Sequence, residues 1–198
     1  MAKRSMDLLL SLLGLLVLAP LLLLIACWIK LDSRGPVFFR QERVGRFGVP
    51  FRIHKFRTMK DGASIDGPSI TVGADARITR AGRWLRQSKL DELPQLIDVV
   101  QGRMSMVGPR PEVPRYVALY PAELRAKVLS VRPGITDPAS IAYRDESRLL
   151  AAAADPEREY LHVVMPAKLE HAARYIDQRS LRGDLRLIGA TLRALWLR

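Results

Sequence analysis

The chain has 198 residues, enough for one domain with a real core plus an accessory element. Lys and Arg outnumber Asp and Glu by 32 to 20, a formal net charge of +12, so an anionic partner is expected: nucleic acid, acidic lipid head groups or a phosphorylated small molecule. The single Cys27 excludes an intramolecular disulfide and a cysteine-rich zinc site, and fits a reducing compartment. His54, His162 and His171 show no paired metal spacing and read as surface or half-buried histidines.

Leu8 to Ile29 is an almost unbroken apolar run with no charge inside it. As a straight helix it would be roughly 33 Å long, enough to cross a bilayer. Three readings compete: a plain transmembrane span; a secretory signal, since Leu24-Ile25-Ala26-Cys27 resembles a lipobox; and a helix broken at Pro20 that dips into the membrane and returns to the same face. Charge favours the third. Lys3 and Arg4 precede the run, and Lys30, Arg34, Arg40, Arg43, Arg46, Arg52, Lys55, Arg57 and Lys60 follow it against only Asp32 and Glu42. Both flanks therefore belong in the cytoplasm, and the arms on either side of Pro20 are each too short to cross.

Beyond the apolar run the pattern changes. Val37-Phe38-Phe39 and Phe51 to Phe56 read as short strands joined by turn residues between Gly45 and Pro50. Asp61 to Ala76, rich in Gly, Ser and Asp, reads as a loop. Helices are predicted over Ile78–Gln87 and Asp91–Val100, with Pro94 in the first turn of the second and Gly102 as its stop. One or two short helices between Glu112 and Ser130, turn and strand material at Arg132–Thr136, and helix from Arg144 onward complete the chain. There are no internal repeats and no low-complexity tail. In the last segment Leu185, Ile188, Leu192, Leu195 and Trp196 face Arg182, Arg186, Arg193 and Arg198, a pattern that fits either a membrane interface or packing on the core.

The candidate chemistry centres on Asp91-Glu92. An acidic pair at a helix start is commonly a capping feature. Here Arg86 lies one turn upstream, Lys55 and Arg57 lie in the second predicted strand, and Arg110 sits between Pro109 and Pro111. Guanidinium forks match phosphate oxygens, and the flanking prolines restrict the backbone of Arg110 to extended geometry. A helix N-terminus would keep Asp91 ionised as a nucleophile, and the two carboxylates with a diphosphate would suit Mg²⁺. The residues point to a phosphate-handling site.

The segments Gly35 to Phe39, Gln41 to Gly45, Lys55 to Met59, Leu90 to Leu96, Met106 to Pro111 and Arg132 to Thr136 occur in the order found in the bacterial sugar transferases, the monotopic phosphoglycosyl transferases, which the chain resembles. The resemblance implies an α+β, mostly helical fold: a re-entrant membrane helix over residues 1–34 and a cytoplasmic catalytic domain over 35–198, with a short hairpin and interfacial helices. It implies transfer of a sugar 1-phosphate from a UDP-sugar to polyprenyl phosphate at the inner membrane, with release of UMP. Asp91 would be the covalent nucleophile, Glu92 would help bind Mg²⁺, and Lys55, Arg57, Arg86 and Arg110 would contact phosphates. Phospholipid is the expected surroundings; the oligomeric state and the sugar stay open.

This chain departs from the family pattern in Ala19-Pro20 where Ser-Pro is usual, in Arg103 after Gly102 where an Asp is usual, and in Asp137-Pro138-Ala139-Ser140 after the Arg-Pro-Gly-Ile-Thr segment. It also shows no further membrane helices, like the small members. Two rivals remain: a nucleic-acid binder, for which no recognised module appears, and a membrane-anchored basic structural protein or lipoprotein that would not need the acidic pair.

Overall fold

A computed structural model describes residues 1–62 and 75–196. The loop expected over Asp61–Ala76 falls largely outside the described residues. Among the described residues the architecture is mostly helical with two small two-stranded sheets.

The apolar run lies within one long helix, α1 (Ala2–Asp32). The expected division into two arms is not seen. Helical geometry continues through Pro20, which withholds one backbone donor without ending the helix. Both ends of α1 are nevertheless fastened to the same folded body. At its start, Lys3 Nζ donates to the carboxylate of Asp184 (2.5 Å) and to the carbonyl of Val107 (3.0 Å). Arg4 caps the carbonyls of Val99 and Val100, and Asp7 accepts from the hydroxyl of Ser105 and the amide of Met106. At its far end, Arg57 donates to the carbonyls of Ser33 (2.7 Å) and Arg34 (2.6 Å), and Asp32 accepts from the amide of Ala81. Between these ends Leu9, Leu12, Leu16, Val17, Leu23 and Leu24 stay exposed. An exposed apolar surface of that length marks a membrane or protein contact site.

Strands β1 (Phe38–Val44) and β2 (Pro50–Phe56) form the antiparallel hairpin, with Phe38 opposite Phe56 and Val44 opposite Pro50. The first strand is longer than its apolar residues predicted, because ladder pairing carries it through the polar Gln41-Glu42-Arg43. Helix α2 (Arg80–Ser88) starts at Thr79, whose hydroxyl accepts from the amide of Gly82. It lies hard against the exit of β2: a Cβ on Gly82 would stand 1.9 Å from the carbonyl oxygen of Thr58. Ile25 and Ile29 of α1 pack with Phe56 and Leu85 here.

After α2, Lys89 adopts left-handed geometry (φ 60°) and turns the chain into a 3₁₀ turn, Leu90–Glu92, followed by α3 (Gln95–Val100). The acidic pair thus precedes the helix instead of forming its first turn; Pro94 immediately precedes α3. Strand β3 (Ser105–Val107), which periodicity did not reveal, pairs in parallel with β4 (Gly134–Thr136). Two short helices, α4 (Pro114–Val117) and α5 (Ala122–Val128), lie between them in sequence. The strands meet at a glycine pair so close that a Cβ on Gly134 would stand 2.1 Å from the amide nitrogen of Gly108. Then follow α6 (Pro138–Ala142), α7 (Glu146–Ala151), α8 (Pro156–Glu159), one π turn, α9 (Met165–Gln178) and α10 (Leu181–Trp196). Tyr116, Val128, Leu150, Tyr160, Val164 and Leu169 form the largest core cluster.

Helix α10 turns its apolar face away from the core. Leu181, Leu185, Leu192 and Leu195 are exposed, while Asp184 is buried at 1%. The helix is held by polar contacts, Asp184 to Lys3 and Tyr175 and Thr191 to Thr136. His54 also departs from the surface or half-buried reading. It is buried, its amide donates to Asp98 Oδ2, and its ring bonds Asp98 through Nδ1 and Arg40 through Nε2.

Candidate functional site

The 3₁₀ turn carries Asp91 and Glu92 between α2 and α3, and β2 delivers Lys55 to the same place. Lys55 Nζ donates to Glu92 Oε1 at 2.8 Å. Arg110 donates through Nη1 to Glu92 Oε2 (2.9 Å) and through Nη2 to Oε1, closing a two-pronged fork. The segment bearing Arg110 is pinned at three points. The amide of Gly108 donates to the carbonyl of Thr136, the amide of Gly134 to the carbonyl of Pro109, and the amide of Arg110 to Asp137 Oδ2. Pro109 and Pro111 are buried on either side while the guanidinium remains partly exposed, its side chain 38% accessible.

Asp137 was not singled out as a site residue. Its other oxygen caps α6 by accepting from the amide of Ser140. An Asp directly before Pro138 is a helix-start signature, and that signal was available in the sequence. Its second role, holding Arg110, depends on the β3–β4 pairing and was not. Asp98 was missed likewise: it ties α3 to β2 through His54, beside Lys55.

The two carboxylates experience opposite fields. Burial pushes the Asp91 carboxyl up from its ordinary value, only partly opposed by Lys55 and Arg86 and reinforced by Glu92. The direction is opposite to the one a helix terminus would impose, because burial removes water from around the carboxylate. Burial acts on Glu92 in the same direction, but the charges of Arg110 and Lys55 outweigh it and hold Glu92 well below the carboxylate range. Lys55 is itself lowered, by burial first, against the pull of Glu92. Burial likewise lowers Arg86, whose Nε donates to the hydroxyl of Thr58. Two adjacent acids with divided properties are a familiar arrangement for chemistry.

Among the predicted phosphate contacts, Lys55 and Arg110 converge on Glu92, and Arg86 stands within the electrostatic reach of Asp91. Arg57 points elsewhere. It is 4% exposed and its donors are directed to the end of α1, including the hydroxyl of Ser33. It is a strut between β2 and the apolar helix. Pro20 lies inside α1, not in the acidic turn.

The described residues contain no group of three or more His, Cys, Asp or Glu side chains suited to a metal ion. Mg²⁺ shared with a diphosphate needs only one or two carboxylates and its own waters. The Asp91–Glu92 pair fits that requirement in its donor set, although both Glu92 oxygens already accept from cations, whereas Asp91 Oδ1 has no hydrogen-bond partner.

A buried acidic pair ringed by Lys and Arg thus stands on a body fastened to an exposed apolar helix. The chain belongs to the bacterial sugar transferase family, whose profile matches residues 1–198, as the motifs implied. It is 37% identical over 195 residues to the UDP-N-acetylgalactosamine-undecaprenyl-phosphate N-acetylgalactosaminephosphotransferase of Aeromonas hydrophila, covering 98% of this chain and 43% of that protein. It is 49% identical over 145 residues to the undecaprenyl-phosphate glucose phosphotransferase of Komagataeibacter xylinus, covering 70% and 27%. To the UDP-glucose:undecaprenyl-phosphate glucose-1-phosphate transferase of Klebsiella pneumoniae it is 36% identical over 193 residues, covering 96% and 39%. The chain spans less than half the length of these curated relatives.

Proposed function

We propose that the protein transfers a sugar 1-phosphate from a UDP-sugar to polyprenyl phosphate, releasing UMP, by way of a phosphosugar held on Asp91. The observation that carries this reading is the division of the acidic pair: Glu92 is held by Arg110 and Lys55, while Asp91 keeps a buried oxygen with no partner. A carboxylate free of a tight ion pair retains its nucleophilicity. The names of the relatives support the same reaction class, and they differ in the sugar, N-acetylgalactosamine in one and glucose in two.

In the first step an Asp91 carboxylate oxygen bonds to the β-phosphorus of the donor. The bond from that phosphorus to the bridging oxygen breaks, and the electron pair leaves with UMP. In the second step an oxygen of polyprenyl phosphate attacks the same phosphorus, and the Asp91 carboxylate departs. Arg110, Lys55 and Arg86 supply positive charge to the phosphoryl oxygens, which is most of what such a transfer requires. Bound Mg²⁺ would add charge neutralisation on the diphosphate beside Asp91 and Glu92.

The proposed membrane arrangement is built on α1. Because both of its ends are docked on one folded body, we place the helix as a re-entrant element whose apolar surface sits in lipid. The body then lies on the cytoplasmic face of the inner membrane, with the outward leucines of α10 in the interface.

The decisive experiment is UMP release by detergent-solubilised protein with undecaprenyl phosphate, Mg²⁺ and a panel of UDP-sugars, beside Asp91→Asn. UMP from one donor, dependent on Asp91 and metal, is expected. Absence of UMP from every donor, together with no phosphosugar trapped on Asp91 in native membrane extracts, would overturn the reading.

A further inference from the structure

The bonds that hold the Arg110 segment to β4 and Asp137 all lie on its approach, up to the Arg110 amide. Beyond Arg110 the segment is held by β1 instead. Arg43 donates through Nη1 to the carbonyl of Pro111 (3.1 Å) and to Glu112 Oε1 (2.9 Å), and the amide of Val44 donates to the carbonyl of Glu112 (2.9 Å). Arg43 Nη2 is braced on Gln41 Oε1 at 2.7 Å, while its buried Nε has no partner, so the whole grip comes from the two terminal nitrogens. Glu112 is held in turn by the C-terminal helices. Its Oε2 accepts from the Tyr160 hydroxyl at 2.5 Å, and Oε1 also accepts from the amide of Val113 at 2.8 Å. Tyr160 opens the π turn Tyr160–Val164 and is buried; such turns are frequent at functional sites. Burial, with Glu112 beside it, pushes the Tyr160 hydroxyl up, so it stays protonated and remains the donor.

The hairpin that carries Arg43 also carries Lys55. In its ladder Arg43 stands opposite Phe51, and Lys55 opposite Phe39. Both cations that converge on Glu92 are therefore referred to one hairpin, Lys55 directly and Arg110 by way of Arg43. We propose that Arg43, with Glu112, is a positioning residue for Arg110: it fastens the Pro109–Glu112 segment to the hairpin that presents Lys55 and so fixes the spacing of the two cations around Glu92. This role rests on the transferase reading of the same site.

The backbone makes such a clamp effective. Prolines on both sides leave Arg110 little freedom, so a shift of the Pro111 carbonyl is passed on to the direction of the guanidinium. A fork that must meet two oxygens at once tolerates little misdirection. Neither clamp residue offers a free group to a substrate. Both oxygens of Glu112 are occupied and both terminal nitrogens of Arg43 are committed to protein acceptors, so the pair acts through Arg110. The side chains of Arg43 and Glu112 are only 18% and 19% accessible, which shields their ion pair from solvent.

The test is a double-mutant cycle in the full chain, with UMP release from radiolabelled UDP-sugar as the readout so that slow rates stay measurable. Arg43→Met should lower the rate about tenfold to a hundredfold, as for a misplaced catalytic contact. Arg43→Lys keeps the charge and one donor group and should recover part of the loss. In an Arg110→Ala background Arg43→Met should slow release by less than about twofold, since the group it positions is gone. The melting temperature should fall by an equal amount in both backgrounds, because Glu112 loses the same partner in each. An unchanged rate in Arg43→Met overturns the proposal. So does a full loss repeated in Arg110→Ala, which would make Arg43 a general strut or a substrate contact. Should Arg43→Met fail to fold, Tyr160→Phe keeps the ring and removes only the donor to Glu112. Its smaller rate loss should vanish in Arg110→Ala, and no loss, or one that persists, overturns the proposal. If Asp91→Asn still releases UMP, the transferase mechanism fails; if Asp91→Asn is inactive and Arg43→Met is not impaired, only the Arg43 assignment fails.

Discussion

Arg110 grips both carboxylate oxygens of Glu92, so the second acid of the Asp91–Glu92 pair is already neutralised by the protein's own cations. Its neighbour Asp91 is left buried and raised. The contrast sets two consecutive acids in opposite electrostatic surroundings.

Replacing Arg110 tests that division. Arg110→Lys keeps one charge but loses the fork, and should lower the rate of UMP release by about tenfold or more, because bidentate geometry cannot be restored by a point charge. Arg110→Ala should cost more, since burial then acts on Glu92 with only Lys55 opposing it. Initial rates with a fixed donor would measure both.

Asp91→Asn should abolish UMP release and at the same time stabilise the fold. Because burial raises the folded-state pKa of Asp91, its ionised form is a cost that is fully present above that raised value. The cost fades as pH falls through it toward the ordinary value of 3.8. The mutant should therefore melt higher at pH 7.5, by about 2–4 °C for roughly 1 kcal/mol in a chain of this length. The difference should shrink in melts recorded at progressively lower pH.

The polar clasp between α1 and α10 should matter to stability. Lys3 is about a third exposed, but its partner Asp184 is buried. Lys3→Met should cost about 1–3 kcal/mol, below the usual range for breaking a buried pair because Lys3 is partly solvated and Tyr175 still donates to Asp184. Adding Asp184→Asn should recover part of that loss in a double-mutant cycle read by denaturant or thermal unfolding.

The path of α1 can be read from single cysteines at Ala2 and Ser33, in a Cys27→Ser background, labelled in intact cells and in opened membranes. Both should react only after opening. A label reaching one site from outside would make α1 a straight span. Pro20→Leu should shift the helix toward spanning; unchanged topology would assign the re-entrant path to the docked ends instead of the proline.

Gly134→Ala should impair activity without touching the acidic turn. A Cβ there would meet the backbone of Gly108 at 2.1 Å and force β3 and β4 apart. Arg110, tethered through Pro109 and Asp137 to those strands, would be displaced from Glu92. A large fall in UMP release in protein that is still folded by circular dichroism is the expected result.

Short-range patterning carried much of this protein. The hairpin turn between Gly45 and Pro50, the stop near Gly102 and the amphipathic last helix all lie where local rules place them, since turn chemistry and periodicity act over a few residues. The acidic pair and its cationic neighbours were also legible, because their residue types announce charge chemistry in any context. What tertiary structure alone decided was the allocation of those charges. Arg57 was drawn to the end of α1, Arg110 and Lys55 to Glu92, and Asp137 to the Arg110 backbone. The upward push on the Asp91 carboxyl has the same origin. Desolvation depends on what packs over a side chain from remote parts of the chain, and a guanidinium's partner is chosen by distances that one dimension does not contain.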